Sequence, residues 1–259
     1  MATAVFFHAH PDDECILTGG TMAKLASAGH RVVLVTATRG ENGEVAEGFL
    51  GQGESLAERR MLELEASAAV LGVSRLEVLG YGDSGMMGTP TNDVPASFWR
   101  ADIEEAARRL ATILDEESAT VLVTYDDHGN YGHPDHIQVH RVGVRAAEMA
   151  ATAAVYEATV DRDRVIRMIS EGGGPAEGGP EIDEMDDFGV PASMVTTRVD
   201  VGEHVAAKRQ AMRCHPSQIT ADSFWLTMPD EQFTVAFSEE QCIRRGSAPG
   251  TLESALDLG

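Results

Sequence analysis

Short apolar runs and longer amphipathic segments alternate along the first 160 residues of the chain. Runs rich in valine, leucine and phenylalanine predict buried strands at 4–7, 31–37, 76–81, 120–126 and 153–160. Between them, apolar residues spaced three and four apart predict helices over 16–30, 54–72, 96–117 and 133–153. The chain therefore reads as strands separated by helices.

This order predicts βαβ units and a mainly parallel sheet with helices on its faces. After residue 190 the pattern predicts a further strand at 192–201 and a helix at 202–215, and the last forty or so residues are expected to wrap back onto the sheet. No linker or internal repeat divides the sequence, and 259 residues suit one large domain. We expect a single α/β domain over 1–259.

The segment 171–189 interrupts the regular order of elements. Its sequence, EGGGPAEGGPEIDEMDDFG, combines glycines and prolines with seven acids and few apolar residues. Such a composition is typical of a mobile, solvated loop. We expect an acidic loop here, either a plain surface insertion or a lid over a site.

The charge of the chain excludes some partners. With 42 acidic and 20 basic residues the formal charge is −22, which disfavours nucleic-acid binding and stable membrane association.

No apolar stretch approaches the roughly 18 residues that span a bilayer, and MATAVFF is not expected to be a signal peptide. Three scattered cysteines favour reduced thiols in a cytoplasmic protein. The oligomeric state stays open, with a homo-oligomer as one alternative.

Polar residues cluster directly after four of the predicted strands. In an open parallel sheet the carboxyl ends of the strands lie at one edge, which is where ligands bind. The clusters, in chain order, are HAHPDD, TRGENGE, GYGDSGM and YDDHGNYGHPDH. We expect the functional site at this edge.

The first and fourth clusters contain candidate metal ligands. His10 and Asp13 are three residues apart on a strand-to-helix turn, so their side chains can converge on one point, and imidazole and carboxylate are ligands of catalytic zinc. A third ligand can come from the cluster at 133–136, because neighbouring strands lie about 5 Å apart. Each histidine alone is more typical of a structural role, and an aspartate at a helix start is a routine cap. The two clusters together favour a metal site.

Three other residues in or directly after the first cluster are expected to be structural. His8 directly follows the predicted strand, should point the opposite way from its strand neighbours, and should be packed or hydrogen-bonded. Cys15 is a small apolar residue at a helix start and should pack in the core. Glu14 should form hydrogen bonds near the helix start.

These motifs resemble a known family. AHPDDE at 9–14 and GHPDH at 132–136, in this order and on these elements, resemble the LmbE-like (PIG-L) family of zinc-dependent N-acetylsugar deacetylases. The likeness extends over most of the chain, to TRGENGEV at 38–45, Arg60-x-x-Glu63, DSGM at 83–86 and RCHPSQI at 213–219. DSGM looks especially like the mycothiol branch, with its inositol-linked glucosamine deacetylase and its conjugate amidase. The resemblance implies a Rossmann-like fold.

The resemblance also implies a zinc ion held by His10, Asp13 and His136, with Asp12 beside it as the general base. Zinc lowers the pKa of bound water from about 15.7 towards ~7. A carboxylate that is not a ligand can then take the proton of the water as the acetamide is attacked. Two histidines and one carboxylate bind ferrous iron in other enzymes, so Fe²⁺ is the alternative metal.

Five further residues receive roles from the resemblance. His133 matches a histidine that stabilises the oxyanion or protonates the leaving amine, and Asp135 orients it. Tyr131 matches a mobile tyrosine near the scissile carbonyl. Arg60 and Asp83 match positions that contact the substrate. Whether the general base or the histidine delivers the proton to the amine stays open.

We therefore expect a hydrolase that removes the acetyl group from a small N-acetylglucosamine-type substrate. A mycothiol-conjugate-type amidase or a non-sugar N-acyl amidase is the alternative, because the same zinc chemistry serves both. A nucleotide-binding Rossmann protein is disfavoured, since no GxGxxG follows the first strand. An inactive metal-binding relative would have no use for the spare carboxylate of Asp12.

Overall fold

One mixed sheet forms the centre of the computed structural model, which describes residues 1–173, 187–248 and 250–259. Within these ranges its strands are β1 Thr3–His8, β2 Arg31–Thr36, β3 Arg75–Val78, β4 Val121–Tyr125, β5 Ala154–Thr159, β6 Thr197–Asp200 and β7 Glu239–Arg244. They lie in the order β3-β2-β1-β4-β5-β7-β6. The first five are parallel, and β7 is antiparallel to both β5 and β6. The predicted α/β class with a mainly parallel sheet is confirmed.

Helices flank the sheet. In the described ranges they are α1 Asp13–Leu17, α2 Gly19–Ser27, α3 Leu56–Leu71, α4 Ile103–Glu116, α5 Gly129–Gly132, α6 Pro134–Met149, α7 Arg162–Met168, α8 Val205–Met212, α9 Phe224–Thr227 and α10 Asp230–Phe237. Short 3-10 turns occur at Pro90–Asp93, Phe98–Arg100, Ala192–Met194 and Gly202–His204. Among the described helices, none combines the length and the apolar character that crossing a bilayer would require.

The central strands are apolar because both of their faces are covered. Phe6 of β1 pairs with Leu34 of β2 on one side and with Val123 of β4 on the other. These side chains are buried, and the burial of each contributes about 1.5–3 kcal/mol to the free energy of unfolding through the hydrophobic effect. The strands thus form a rigid support for the loops that follow their carboxyl ends.

Helix α3 is defined at both ends by its sequence. Ser55 and Glu58 form a capping box at its start, and Gly72, with φ of 74°, ends it in the left-handed conformation. Between these caps, Arg60 and Glu63 are buried. The helix therefore carries a charged face into the protein, next to the loop after β1.

The helix predicted over 16–30 is instead two helices, α1 and α2. The backbone N–H groups of Gly20 and Thr21 donate to the two carboxylate oxygens of Glu240, both at 2.8 Å. A Cβ at residue 20 would lie 2.6 Å from the side chain of Val201. The second helix thus begins where a carboxylate of β7 caps it, and this partner is 220 residues away in sequence.

Other predicted boundaries also move. The helix predicted over 96–117 begins only at Ile103, because Asp102 caps it by accepting the N–H of Glu105 at 2.8 Å. The strand predicted over 192–201 is the shorter β6. The last residues do return to the sheet, as β7. The acidic loop predicted over 171–189 falls largely outside the described residues, which do not include 174–186.

Candidate active site

The first and fourth polar clusters meet at the centre of the sheet. HAHPDD leads from β1 into α1, and GHPDH precedes and begins α6 after β4. Strands β1 and β4 are parallel neighbours, and the strand order reverses between them. Such a switch point leaves a crevice at the carboxyl ends of the strands. The fold therefore brings together two motifs that lie more than a hundred residues apart.

Three predicted metal ligands converge in this crevice. Asp13 Oδ2 lies 3.5 Å from His10 Nδ1 and 3.4 Å from His136 Nε2. All three side chains are buried. Ligand atoms placed tetrahedrally about 2.0–2.2 Å from a zinc ion lie roughly 3.3–3.6 Å from one another. The two distances from Asp13 are those expected between ligands of such an ion.

A second combination of residues at the same place includes His133. Nitrogen atoms of His10, His133 and His136 lie within 4.8 Å of one another. However, His133 Nδ1 accepts the backbone N–H of Asp135 at 3.1 Å, so the neutral ring carries its proton on Nε2. Burial, with His10 and His136 nearby, lowers the pKa of His133 to about 4. This ring is therefore placed to donate a hydrogen bond, while His10 and His136 can offer lone pairs.

The carboxylate of Asp135, which the resemblance implied would orient His133, lies against His10. Its Oδ2 atom lies 3.1 Å from His10 Nε2, and it also accepts the N–H of Ser84 at 2.9 Å, while the Ser84 hydroxyl donates to Oδ1. A carboxylate on the second nitrogen is the usual support of a metal-binding histidine. Burial alone would lower the pKa of His10, but its hydrogen bonds with Asp13 and Asp135 raise it well above the ordinary value. The carboxylates thus favour positive charge at this point.

Asp12 lies beside the cluster without joining it. Its φ is 105°, a conformation that costs a non-glycine residue roughly 1–3 kcal/mol. The Asp12 N–H donates to Glu14 Oε2 at 2.8 Å, and Arg60 Nη2 lies 3.2 Å from Asp12 Oδ2. Burial raises the pKa of Asp12 to about 6, although Arg60 opposes this shift. The neighbours thus hold the carboxylate in a strained turn next to the cluster.

Arg60 supports this turn from α3. Its side chain is buried, its Nη1 donates to the carbonyl of Gly40 at 2.7 Å, and its Nη2 donates to the carbonyl of Pro11. A Cβ at residue 40 would lie 2.3 Å from Arg60 Nη1. The guanidinium is therefore engaged by the chain itself, and its predicted contact with substrate stays a prediction.

Asp83 lies on the other side of His10 from Asp13. Its Oδ1 atom is 3.6 Å from His10 Nε2. The carboxylate accepts the N–H groups of Asn42 at 3.1 Å and of Gly85 at 2.8 Å, and its side chain is buried. The structure thus places Asp83 at the cluster, where it also orders the loop after β3. Its predicted contact with substrate stays a prediction.

Tyr131 is the exposed aromatic residue at the site, with 44% of its surface accessible. Its hydroxyl lies 3.5 Å from His136 Nε2. The two residues before it, Gly129 and Asn130, have φ of 69° and 64°. A Cβ at residue 129 would lie 2.6 Å from the His136 Cβ. Glycine therefore permits this loop to approach α6 and to place the phenol beside the cluster.

The structural roles predicted for His8 and Cys15 are confirmed. His8 is buried and hydrogen-bonds through Nδ1 to the Tyr125 hydroxyl at 2.7 Å and through Nε2 to the Thr18 hydroxyl at 2.9 Å. Burial lowers its pKa to about 4. Cys15 packs in the core. The Cys15 thiol also donates to the carbonyl oxygen of Asp12 at 2.9 Å, so both residues support the strand-to-helix turn that carries the cluster.

Part of the support of the site comes from residues that the sequence did not lead us to expect there. Glu14, predicted only to bond near the helix start, also accepts hydrogen bonds from the Ser67 hydroxyl at 2.5 Å and pairs with His215 at 2.7 Å. His215 belongs to the RCHPSQI segment, so its motif was a usable signal. Ser84, which holds Asp135, lies in the DSGM segment. Both motifs therefore serve as supports of the catalytic turns.

A cavity of about 520 Å³ opens beside these residues. Asp12, Asp13, Tyr131 and His136 line one end of it. The buried cluster is thus accessible to a small molecule from one side.

The open α/β sheet, the cluster of histidines and carboxylates at its switch point and the Asp12 carboxylate beside that cluster are features that a metal-dependent hydrolase requires. A model of the PIG-L family, described as GlcNAc-PI de-N-acetylase, matches residues 5–147, and the chain belongs to this family. The predicted family is confirmed, and with it the expected class of enzyme, a metal-dependent deacetylase.

Curated relatives and a solved structure agree with this placement. A protein of Thermomonospora curvata named 1D-myo-inositol 2-acetamido-2-deoxy-alpha-D-glucopyranoside deacetylase is 46% identical over 242 residues, covering 85% of this chain and 81% of the relative. A protein of the same name from Thermobispora bispora is 40% identical, covering 98% and 92%. The N,N'-diacetylchitobiose deacetylase of Pyrococcus horikoshii is similar in structure, with a TM-score of 0.61, 25% identity and coverage of 96% and 84%.

Proposed function

We propose that this protein is a zinc-dependent deacetylase that acts on an N-acetylglucosaminyl group joined to inositol. Curated relatives named for that substrate align with most of this chain. The observation that carries the proposal is the position of the Asp12 carboxylate, beside the cluster of His10, Asp13 and His136 and not within it. Hydrolysis by an activated water needs a base that the metal does not occupy.

The metal would be held by His10 Nδ1, Asp13 Oδ2 and His136 Nε2. Bound there, zinc supplies Lewis-acid chemistry, namely polarisation of the acetamide carbonyl and acidification of a water. Asp135 keeps His10 in the required orientation through its contact with Nε2. Ferrous iron accepts the same donors, so metal analysis after anaerobic purification distinguishes the two ions.

Asp12 acts as the base. Its carboxylate takes a proton from the attacking water and returns it to the amine that leaves. Arg60 Nη2, 3.2 Å from Asp12 Oδ2, and the Glu14 carboxylate on the Asp12 N–H fix the direction of the side chain. The carboxylate is therefore positioned before substrate binds, which lowers the entropic cost of the proton transfer.

His133 stabilises the negative charge that develops on the acetamide oxygen. Because its Nδ1 accepts the N–H of Asp135, the Nε2–H is free to donate to that oxygen. This tautomer makes His133 a hydrogen-bond donor to the acetamide oxygen. The proton that the leaving amine needs is then delivered by Asp12. Tyr131, with its hydroxyl near His136, would supply a second donor at the same edge.

The test of the proposal separates metal binding from turnover. Asp12→Asn should retain one metal ion per chain by atomic absorption, and its release of acetate from N-acetylglucosaminyl-inositol should fall by about 10²–10⁴-fold. The matched control is Asp127→Asn, because the Asp127 side chain is 83% exposed; this variant should keep both properties. A metal-loaded Asp12→Asn protein that works at the parent rate would overturn the role of Asp12.

A panel of N-acetylglucosaminides tests the substrate. Inositol-linked, lipid-linked, glycopeptide-linked and free sugars should be deacetylated at different rates, with the inositol-linked compound preferred. Faster cleavage of a thiol-conjugate amide would favour the amidase alternative. The cytoplasmic location, the lack of a nucleic-acid partner and a homo-oligomeric state stay predictions, open to cell fractionation, binding assays and gel filtration.

A further inference from the structure

A buried carboxylate that the proposed mechanism does not use lies at the carboxyl end of β4. It belongs to Asp126, the residue directly after the strand, and its side chain is almost fully buried. One of its oxygens accepts the backbone N–H of Asn130 at 2.7 Å, and the other accepts the Thr159 hydroxyl at 2.6 Å. A carboxylate loses its hydration when it is buried and needs donors in return. Here one of the donors belongs to the loop that carries Tyr131.

The backbone of Asn130 is strained. Its φ of 64° and ψ of −47° lie near the classic γ-turn, which is a rare conformation. A residue stays in such a conformation only where the surrounding structure holds it there. Asp126 holds the N–H, the carbonyl accepts the N–H of Gly189 at 2.7 Å, and Nδ2 donates to the carbonyl of Ala158 at 3.3 Å. The turn is therefore fixed from three sides.

This turn sets the direction of the next side chain, Tyr131. The phenol hydroxyl lies 3.5 Å from His136 Nε2, and the phenol ring lies 4.9 Å from the imidazole of His136 between centroids. Because 44% of the surface of Tyr131 is accessible, packing restrains this ring less than it restrains the buried histidines. The hydroxyl is also at the far end of the side chain, so a small rotation of the backbone at Asn130 displaces it much further. The bonds to Asn130 therefore keep the phenol beside the cluster.

We propose that Asp126 is a positioning residue, which holds the turn at Asn130 and thereby keeps the Tyr131 hydroxyl where the acetamide oxygen develops its charge. The inference rests on the proposed function, in which Tyr131 is a second donor to that oxygen. Asp126 does not line the described cavity, so it acts on the substrate through the loop. A preorganised donor of this kind stabilises charge that exists only in the transition state. Its displacement should therefore lower kcat and leave KM nearly unchanged.

Steady-state kinetics of the metal-loaded full chain test this role. Asp126→Ala removes both acceptor oxygens and should lower kcat about 10- to 100-fold, with less than about a threefold change in KM. Asp126→Asn keeps an acceptor oxygen for the Asn130 N–H and should recover most of this loss. Asp127→Ala is the matched control with the parent kcat, because the neighbouring Asp127 side chain is 83% exposed. A parent kcat in Asp126→Ala, or a rise in KM alone, would overturn the proposal.

A second pair of variants serves if Asp126→Ala does not fold. Thr159→Val removes the hydroxyl that donates to Asp126 and keeps the shape of the side chain. It should lower kcat about three- to tenfold, the worth of one hydrogen bond. Thr159→Ser keeps the hydroxyl and should retain the parent kcat. Equal values of kcat in the two Thr159 variants would speak against a role for this bond and refute the proposal.

A double-mutant cycle separates positioning from general damage to the fold. In Tyr131→Phe the hydroxyl is already absent, so its displacement has no further effect. Asp126→Ala should therefore lower the kcat of Tyr131→Phe by less than about threefold, although it lowers the kcat of the parent protein by about tenfold or more. Equal losses in the two backgrounds would mean that Asp126 acts on the fold as a whole, and the positioning role would be wrong.

Fluorine NMR keeps this inference separate from the function on which it rests. The chain has four tyrosines, each of which can be labelled as fluorotyrosine, and the signal missing from Tyr131→Phe identifies Tyr131. Asp126→Ala should shift or broaden this signal and leave those of Tyr81 and Tyr156 in place, and Asp127→Ala should change none of them. If the protein hydrolyses no acetamide, the proposed function fails and the spectrum still decides whether Asp126 holds Tyr131. An unchanged Tyr131 signal in Asp126→Ala would overturn the inference.

Discussion

His215 Nε2 lies 2.7 Å from Glu14 Oε1, and neither side chain is exposed to solvent. The other oxygen of Glu14 accepts the N–H of Asp12 at 2.8 Å. A histidine 201 residues further along the chain therefore supports the turn that carries the proposed base. The support depends on charge. Burial alone would lower the pKa of His215, but the neighbouring Glu14 carboxylate raises this pKa above 6.5.

The free energy of unfolding should depend on pH through this pair. The contribution of His215 is fully present below pH 6.5 and is lost as the pH rises through its raised folded pKa. Burial alone would raise the pKa of Glu14, but His215 lowers it below 4.5, so the contribution of Glu14 is present above pH 4.5 and is lost on acidification. The pair should stabilise the fold most between about pH 4.5 and 6.5.

His215→Gln should lower the free energy of unfolding by about 1–3 kcal/mol at pH 6 and by less at pH 9, measured by urea denaturation. Ser67→Ala is the control, since it removes another hydrogen bond to the same oxygen of Glu14 without removing a charge. Its effect should not change with pH. Equal losses at both pH values for His215→Gln would contradict the charge-dependent support.

Arg60→Lys should lower kcat about 10- to 100-fold with little change in KM. Lysine cannot reproduce the contacts of the guanidinium with Gly40, Pro11 and Asp12, and a small displacement of the Asp12 carboxylate slows proton transfer. Arg59→Lys, one residue away and paired with Glu54 at the surface, is the control for steady-state kinetics. A rise in KM at unchanged kcat would instead identify Arg60 as a substrate contact.

Gly129→Ala should weaken metal binding and destabilise the fold by about 1–3 kcal/mol. The new Cβ would meet the Cβ of His136 at 2.6 Å, in addition to the strain of a φ of 69°. Gly132→Ala provides the comparison, because its φ is 84° and nothing lies within 4 Å of the new Cβ. Metal titration should show a loss for Gly129→Ala alone. A similar loss in both variants would mean that strain, and not displacement of His136, is responsible.

Asp135→Asn should lower metal affinity by about 10- to 100-fold, because the amide supports His10 less well than the carboxylate does. Competition with a chromophoric chelator measures this affinity. Asp127→Asn should leave it unchanged. If Asp135→Asn bound the metal as tightly as the parent protein does, Ser84 and the packing around His10 would suffice to orient the imidazole ring.

Much of the architecture was predictable because the pattern of apolar runs reports burial directly. Strands β1, β2 and β4 are covered on both faces, so their sequences are mostly apolar, and parallel strands place the loops that follow them at one edge. This is why His10 and His136 could be expected near one another. The identity of the residues at that edge, and not their order in the chain, indicated a metal.

Features that depend on distant partners could not be predicted. The start of α2 is set by Glu240, and β7 is a polar strand whose neighbours on both sides come from other parts of the chain. The tautomer of His133 follows from a backbone N–H two residues ahead. The engagement of Arg60 by two carbonyl groups likewise required the folded positions of two loops.

The positive φ of Asp12 has a consequence for protein engineering. Glycine adopts this conformation without strain, so Asp12→Gly should relieve roughly 1–3 kcal/mol of backbone strain while removing the proposed base and its contact with Arg60. A redesign guided by backbone strain alone would select this substitution and yield an inactive protein. Position 12 therefore marks a trade-off between stability and activity, and it should be held fixed in any thermostabilised version of this chain.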